Sequence, residues 1–328
     1  MSHHPTRLPQ AVDDDSYEDL LSLWSDLESG LSVILGSPFQ VQEFVAKVHR
    51  YDRWMQSLLQ QDTDASLYLL FQLASTSTMG YSTSHALVCA ALCHITAAEL
   101  SLPAGERASL VYAAMTMNIG MTALQDELAQ QKDRPSPEQR AAIDNHAARG
   151  RQMLEQLGST DGLWLSIVSA HHLEHTAAPG ASGKLPTDLR LAHILRTVDR
   201  YAALISPRQS RPGGSAADSA RTITSTRRDA LHDDVSHALV RVVGLNPPGT
   251  FVRLDTQEIA VVLRRRETDN QPLVATVLDA HGNPVMPPRL QLVRSTGPRI
   301  KAGLARSAVS LDLDHRTMVR LGIFAATR

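Results

Sequence analysis

The chain has 328 residues, of which 43% are hydrophobic and 20% are charged, and this length predicts one large domain with a smaller one. Its 32 basic and 34 acidic residues give a formal net charge of -2, without the cationic excess that displaces counterions from nucleic acid. No apolar run reaches the ~18 residues that cross a bilayer, the start is polar rather than signal-like, and only Cys89 and Cys93 are cysteines. We therefore expect a cytoplasmic protein that binds neither a nucleic-acid polymer nor a membrane.

The hydrophobic pattern predicts a mainly α-helical chain in four parts. Near the start, Leu20, Trp24, Leu27 and Leu31 recur at intervals of three and four residues, the spacing that lines one helix face. The predicted parts are a disordered arm (1–15), a helical N-terminal segment (16–76), a helical domain (77–245) and a small β-rich extension (246–328).

Helix signals are densest in the middle of the chain. Ser136, Pro137 and Gln139 form the start signal of a capped helix. Gly120 lies inside another predicted helix, where it costs about 1 kcal/mol relative to alanine and therefore needs a packing reason. The Gly- and Pro-containing stretch 207–225 predicts a mobile loop. The predicted helices span 84–100, 106–131, 136–157, 161–175, 187–206 and 228–243.

The periodicity changes after 246–250, where Asn, two Pro and Gly form a turn signal. Runs rich in β-branched residues follow at 251–254, 259–263 and 273–278. They predict a small antiparallel sheet, and the tail after Gly297 is only weakly patterned.

Polar side chains stand on the apolar stripes of several predicted helices. Any one of them alone is typical of a hydrogen-bonded core residue. Together they resemble the way that helical bundles build metal sites from facing helices. Cys89 and Cys93 continue the stripe of the first histidine and are candidate ligands, although small core thiols are the commoner case. His193 is predicted on a solvated face. The polar set is His85, His146, His171, His172 and Asp199.

This order of residues resembles the HD-GYP family of cyclic di-GMP phosphodiesterases, a branch of the HD phosphohydrolases. The likeness covers about 80–250 and implies an HD-type helical bundle. The matching pieces are Tyr81 to His85, Ala113 to Met121, His146 to Gly150, Val168 to His172, Ile194 to Asp199 and Gly244 to Thr250.

The resemblance also implies roles. Family members hold two or three metal ions, commonly iron or manganese, which bridge the hydroxide that attacks the phosphodiester. Arg208 and Arg211 match a basic pair that contacts the phosphates of the dinucleotide. By position, the retained metal ligands are His85, His146, His171, His172 and Asp199.

The departures from the family pattern concern the same chemistry. Met117 and Asn118 replace a His-Asp dyad, and Met121 replaces the lysine that follows it. After the paired histidines, Leu173 precedes Glu174, and the Gly-Tyr-Pro signature is missing from the sequence.

These substitutions predict the loss of a two-metal site. Asn118 offers one neutral oxygen in place of a bridging carboxylate, and the thioether of Met117 is a poor ligand for a hard metal. Because two-metal chemistry depends on that clamp, little or no phosphodiester hydrolysis is expected. One divalent ion (Fe, Mn or Zn) held by His146, His171 and His172 is as well supported as histidines that are merely packed by hydrogen bonds.

Three functions follow as hypotheses. The first is a non-catalytic signalling protein that binds cyclic di-GMP, a protein partner such as a diguanylate cyclase, or both. The alternative is a metal-dependent phosphodiesterase that uses the reduced site on cyclic di-GMP or another phosphate ester. In the third, the helices form a homodimer platform and the edges of the C-terminal sheet pair with a partner.

Overall fold

The computed structural model describes residues 14–76, 80–173, 185–225, 232–265, 272–293 and 297–326. The first helix begins at Asp14, so it includes the last two residues of the arm predicted for 1–15, and residues 1–13 lie outside the described residues. The helices are α1 (Asp14–Gly36), α2 (Phe44–Gln61), α3 (Thr63–Thr76), α4 (Tyr81–Glu99), α5 (Ala104–Thr116), α6 (Thr122–Gln130), α7 (Pro137–Gln156), α8 (Gly162–Ala170), α9 (Thr187–Ile205), α10 (Ala216–Thr224), α11 (His232–Val243) and α12 (His315–Ala326).

Helix α4 is the centre of the helical part. It is buried continuously from Ser82 to Cys93, the burial expected of a helix that is apolar or small on all sides. Helices α1, α3, α5, α9 and α11 pack around it. Any polar side chain between Ser82 and Cys93 is therefore held away from solvent.

Side-chain caps fix the starts of two helices that carry histidines. The capping box predicted for α7 is confirmed. The Ser136 hydroxyl accepts from the backbone N–H of Gln139, and the Gln139 side chain accepts from the backbone N–H of Ser136. Helix α8 begins after Asp161, whose carboxylate accepts from the backbone N–H groups of Leu163 and Trp164, both at 3.0 Å.

The helix predicted over 106–131 is wrong as one element, because the chain breaks in its middle. Helix α5 ends at Thr116, a single 3-10 turn follows at Ile119–Met121, and α6 starts at Thr122. A Cβ on Gly120 would lie 2.5 Å from the backbone oxygen of His146. Close approach to α7 is the packing reason that Gly120 required.

The prediction of a mobile loop over 207–225 is also wrong in part. Arg208 and Arg211 form an isolated antiparallel bridge within a tight turn. Helix α10 then begins after Ser215, whose hydroxyl accepts from the backbone N–H of Asp218. The sequence does not predict this helix because the Gly213-Gly214 pair before it is typical of a loop, and the Ser215 cap fixes where the helix begins.

The C-terminal antiparallel sheet is confirmed and is larger than predicted. It has five strands in the order β4-β3-β2-β1-β5. Strands β4 and β5 and helix α12 come from the region that the sequence left weakly patterned or unassigned. The strands are β1 (Phe251–Leu254), β2 (Ile259–Arg264), β3 (Leu273–Leu278), β4 (Pro284–Leu292) and β5 (Ile300–Leu304).

Alternating side chains give the sheet two buried faces. Phe251, Val261 and Ala275 belong to the same core cluster as the helices, whereas Val252 and Val262 lie in a small cluster on the other face. Helices and sheet therefore share one core. Among the described helices, none is both long enough and apolar enough to cross a membrane.

Candidate metal centre

The first group of candidate ligands joins α4 to α9. His85 is buried, and its Nε2 lies 2.8 Å from Oδ1 of Asp199. Cys89, one turn along α4, places its Sγ 3.6 Å from the same nitrogen. The three ligand atoms lie within 4.8 Å of one another. Nδ1 of His85 is buried without a hydrogen-bond partner within the described residues.

The second group joins α7 to the end of α8 and consists of three imidazoles. His146 and His171 approach through their Nε2 atoms at 3.3 Å. His172 completes the group, with ring centroids 4.9 Å from His146 and 4.0 Å from His171. Their ligand atoms also lie within 4.8 Å of one another. His146 and His171 are buried, but His172 is exposed, which corrects the prediction that all four candidate histidines face inward.

Backbone carbonyls fix the tautomers of the two buried imidazoles. Nδ1 of His146 lies 2.5 Å from the oxygen of Ile143, and Nδ1 of His171 lies 2.7 Å from that of Val168. Since a carbonyl can only accept, each Nδ1 carries the hydrogen, and in the neutral rings each Nε2 presents a lone pair. The two lone pairs therefore face each other.

A metal ion fits this arrangement. A tetrahedral zinc ion with bonds of about 2.0–2.1 Å separates two ligand nitrogens by about 3.3–3.4 Å, and the two Nε2 atoms are 3.3 Å apart. Hydrogen bonds from Nδ1 to a carbonyl are the usual means of orienting metal-binding histidines. His146, His171 and His172 would hold the ion and leave one position open.

Asp199 is the one carboxylate in the two ligand groups that the described residues form. Burial alone would raise the pKa of Asp199, but the hydrogen bond from His85 and the nearby imidazoles lower the pKa to about 2. Burial, together with the neighbouring His172, lowers the pKa of His171 to about 3. At neutral pH the centre therefore contains an anionic Asp199 beside a neutral His171.

Tyr81 and Arg208 cover the first group. The ring of Tyr81 stacks on His85 with centroids 5.4 Å apart and planes inclined by 13°. Arg208 donates to the Tyr81 hydroxyl at 2.7 Å and lies over its ring. Arg211 donates to the carbonyl of Ala203. The two predicted ligand-binding arginines thus share one turn, and Arg208 connects this turn to the first ligand group through Tyr81.

The dyad position lies in the break between α5 and α6. Met117 directly follows α5 and is buried, Asn118 is partly buried, and the backbone at Gly120 packs on that of His146. Met121 ends the 3-10 turn. The fold thus brings this turn directly against α7, while an amide and a thioether occupy the positions where the family resemblance implies a carboxylate and an imidazole.

Three site features escaped the sequence prediction. The Tyr81–Arg208 pair joins residues 127 positions apart, and no local pattern indicates such a pair. Glu28 is buried and accepts from Ser84, the neighbour of His85; its position four residues after Trp24 was the available signal. His193 is buried rather than solvated, because other helices cover α9 on more than one side.

Comparisons with known proteins agree with this architecture. Residues 67–234 match the family model described as HD domain. The cyclic di-GMP phosphodiesterase PA4108 of Pseudomonas aeruginosa is 24% identical over 233 residues, which cover 70% of this chain and 52% of that protein. The chain thus spans about half the length of this curated relative.

A solved structure shows the same fold. The HDG"Y"P protein Bd1817 from Bdellovibrio bacteriovorus superposes with a TM-score of 0.51 at 16% sequence identity, over 70% of this chain and 75% of that one. The residues that match the family model contain both ligand groups, since His85 to Asp199 lie within 67–234. The chain belongs to the HD domain family.

Proposed function

We propose that the chain is a signalling protein that binds cyclic di-GMP without hydrolysing it. The observation that carries the proposal is the pair Met117–Asn118 in the turn against α7. The remaining histidines and Asp199 keep the positions of metal ligands, so the scaffold is present without its anionic dyad. The matched relative is named as a phosphodiesterase, which supports a nucleotide of this class as the ligand.

The charge balance argues against a binuclear centre. Two divalent ions bring four positive charges, and Asp199 is the sole carboxylate in the two described ligand groups. The Asn118 amide adds no charge. Burying uncompensated charge costs several kcal/mol per ion, and the clamp that generates and holds a bridging hydroxide needs both ions.

The arginine turn supports recognition of phosphate. Arg208 uses one Nη atom on Tyr81, and its Nε is buried without a hydrogen-bond partner within the described residues. A guanidinium that retains a free N–H can donate to a phosphate oxygen. Arg211 lies three residues away in the same bridge, so both cations can serve one ligand.

Calorimetric titration of the full chain with cyclic di-GMP tests binding, and product analysis in the same samples tests turnover. We expect binding without turnover, and at least a ~10-fold weaker affinity in Arg208→Ala, because a hydrogen bond to a charged group contributes about 1.5–3 kcal/mol. Arg221→Ala is the matched control, since Arg221 is exposed and pairs only locally with Asp218. Hydrolysis by the wild type would contradict the proposal.

A protein partner such as a diguanylate cyclase is the second part of the proposal. A chain that binds no nucleotide, with or without added metal, would leave only this part. Co-purification with a diguanylate cyclase, compared between the wild type and an Arg208→Ala variant, separates a nucleotide-dependent partner from a constitutive one.

One observation favours hydrolysis as the alternative. His146 and His171 present two oriented lone pairs 3.3 Å apart, and three imidazoles with an open position can lower the pKa of metal-bound water. Such an enzyme would need only one ion. Turnover of cyclic di-GMP or a generic phosphodiester that His171→Ala abolishes would establish this alternative in place of the first proposal.

A further inference from the structure

Cys89 stands in the first ligand group, although family resemblance assigns it no role. It is fully buried on α4, one turn after His85, and its Sγ lies 3.6 Å from Nε2 of His85. Asp199 completes the group from α9. Cys93, one turn further along the same helix, is equally buried and lies outside the group. The two cysteines therefore offer a matched comparison.

Hydrogen bonding does not account for the position of the thiol. Asp199 is ionised and can only accept, so Nε2 of His85, at 2.8 Å, carries the hydrogen that it donates to the carboxylate. The same nitrogen then has no lone pair for the thiol of Cys89. The sulfur therefore lies beside the hydrogen-bonded pair of His85 and Asp199 without a strong hydrogen bond to Nε2 of His85.

The spacing fits a tetrahedral metal ion. Bonds of about 2.3 Å to sulfur and about 2.0–2.1 Å to nitrogen place these atoms about 3.6 Å apart, which matches the distance between Cys89 Sγ and His85 Nε2. The corresponding nitrogen–oxygen separation is about 3.4 Å. Asp199 therefore has to withdraw slightly from its present 2.8 Å hydrogen bond when an ion takes the place of the shared proton.

We infer that His85, Cys89 and Asp199 form a zinc-binding group in which the Cys89 thiolate supplies the negative charge that Asn118 no longer provides. Two anionic ligands balance one divalent ion, whereas the three-histidine group offers none. A thiolate also selects zinc over the harder ions that carboxylate dyads favour. On binding, the thiol proton leaves to solvent and the His85 hydrogen moves to Nδ1. The inference does not depend on cyclic di-GMP binding.

Cobalt substitution tests the assignment. The metal-free chain loaded with one equivalent of Co²⁺ is expected to show a near-ultraviolet charge-transfer band from thiolate to metal. Cys93→Ser should keep this band and Cys89→Ser should lose it. Absence of the band in the wild type, its survival in Cys89→Ser or its loss in Cys93→Ser would each overturn the inference.

X-ray absorption of the zinc-loaded wild type needs no substitution and so remains informative if a variant fails to fold. It should show one sulfur at about 2.3 Å from zinc, and a shell of nitrogen and oxygen alone would contradict the inference. Because neither measurement involves nucleotide, a negative result leaves the proposed signalling function standing, and loss of cyclic di-GMP binding leaves the zinc assignment standing.

Discussion

The two ligand groups of this HD domain differ in how their charge is balanced. In the first group, Nε2 of His85 donates a hydrogen bond to Oδ1 of Asp199 at 2.8 Å, so each of these two atoms has a partner without a metal. In the three-histidine group, His146 and His171 turn two lone pairs toward each other at 3.3 Å, and the group contains no anion. The first group is stable without a metal, and the second is arranged for a cation that it cannot neutralise.

The difference shows what a change at a distant turn can do. Asn118 lies in the break between α5 and α6, two residues before Gly120, whose backbone packs against that of His146. A carboxylate there would give the three-histidine group a counter-charge. We propose that the amide leaves the candidate ligands in place but removes the charge that would join the two groups into one binuclear centre.

Restoring the dyad should produce the largest change. Met117→His combined with Asn118→Asp adds an imidazole and a carboxylate beside the three-histidine group, and we expect metal content to rise to about two ions per chain with phosphodiester turnover above the wild-type background. Metal analysis and product assays measure both effects.

Met117→His alone is the control for this experiment, since it adds a ligand without the charge. If both variants bound the same amount of metal, charge would not be the limiting factor. If the double variant folded as the wild type does and gained no metal, the comparison between the two groups would fail.

Crowding the turn should disturb the three-histidine group alone. Gly120→Ala places a Cβ against the backbone oxygen of His146, and we expect a loss of about 3 kcal/mol in the free energy of unfolding, measured in urea. A Cβ on Gly105, within α5, meets nothing within 4 Å. Gly105→Ala should therefore be neutral or stabilising, and equal losses in both variants would contradict the packing argument.

Replacing one ligand in each group should have the smallest effects on the free energy of unfolding, and the loss should differ between the two groups. In the metal-free chain, kept so by a chelator, Asp199→Asn removes the charged partner of buried His85. This substitution should lower the free energy of unfolding by about 2 kcal/mol. His171→Gln relieves the opposed lone pairs while losing the bond to Val168, so its change should stay within about 1 kcal/mol. A larger loss from His171→Gln than from Asp199→Asn would reverse the comparison.

Local signals in the sequence were sufficient for part of the fold. The capping box at Ser136 and the β-branched runs after 250 predicted elements that the structure contains. The break at 117–121 was missed because the apolar period continues through it, and the contact of Gly120 with α7 is a tertiary effect. Helix α10 was not predicted because the preceding Gly213-Gly214 pair is typical of a loop. The division into four parts remains a prediction.

The candidate site was predictable to the same extent. Periodicity and family resemblance together selected His85, His146, His171 and Asp199, which the fold brings into two groups. Neither source could show that Cys89 joins the first group, since a helical spacing of four residues is equally typical of core thiols. Their roles as metal ligands remain a prediction, as do the roles of Arg208 and Arg211.

The number of metal ions per chain tests the central claim most directly. The full chain, purified both aerobically and anaerobically and offered iron, manganese and zinc, should contain at most one equivalent by elemental mass spectrometry. Two equivalents that survive gel filtration, in either preparation, would contradict the account, and a metal–metal distance of about 3.5–4 Å in X-ray absorption would identify them as a binuclear centre formed without the anionic dyad.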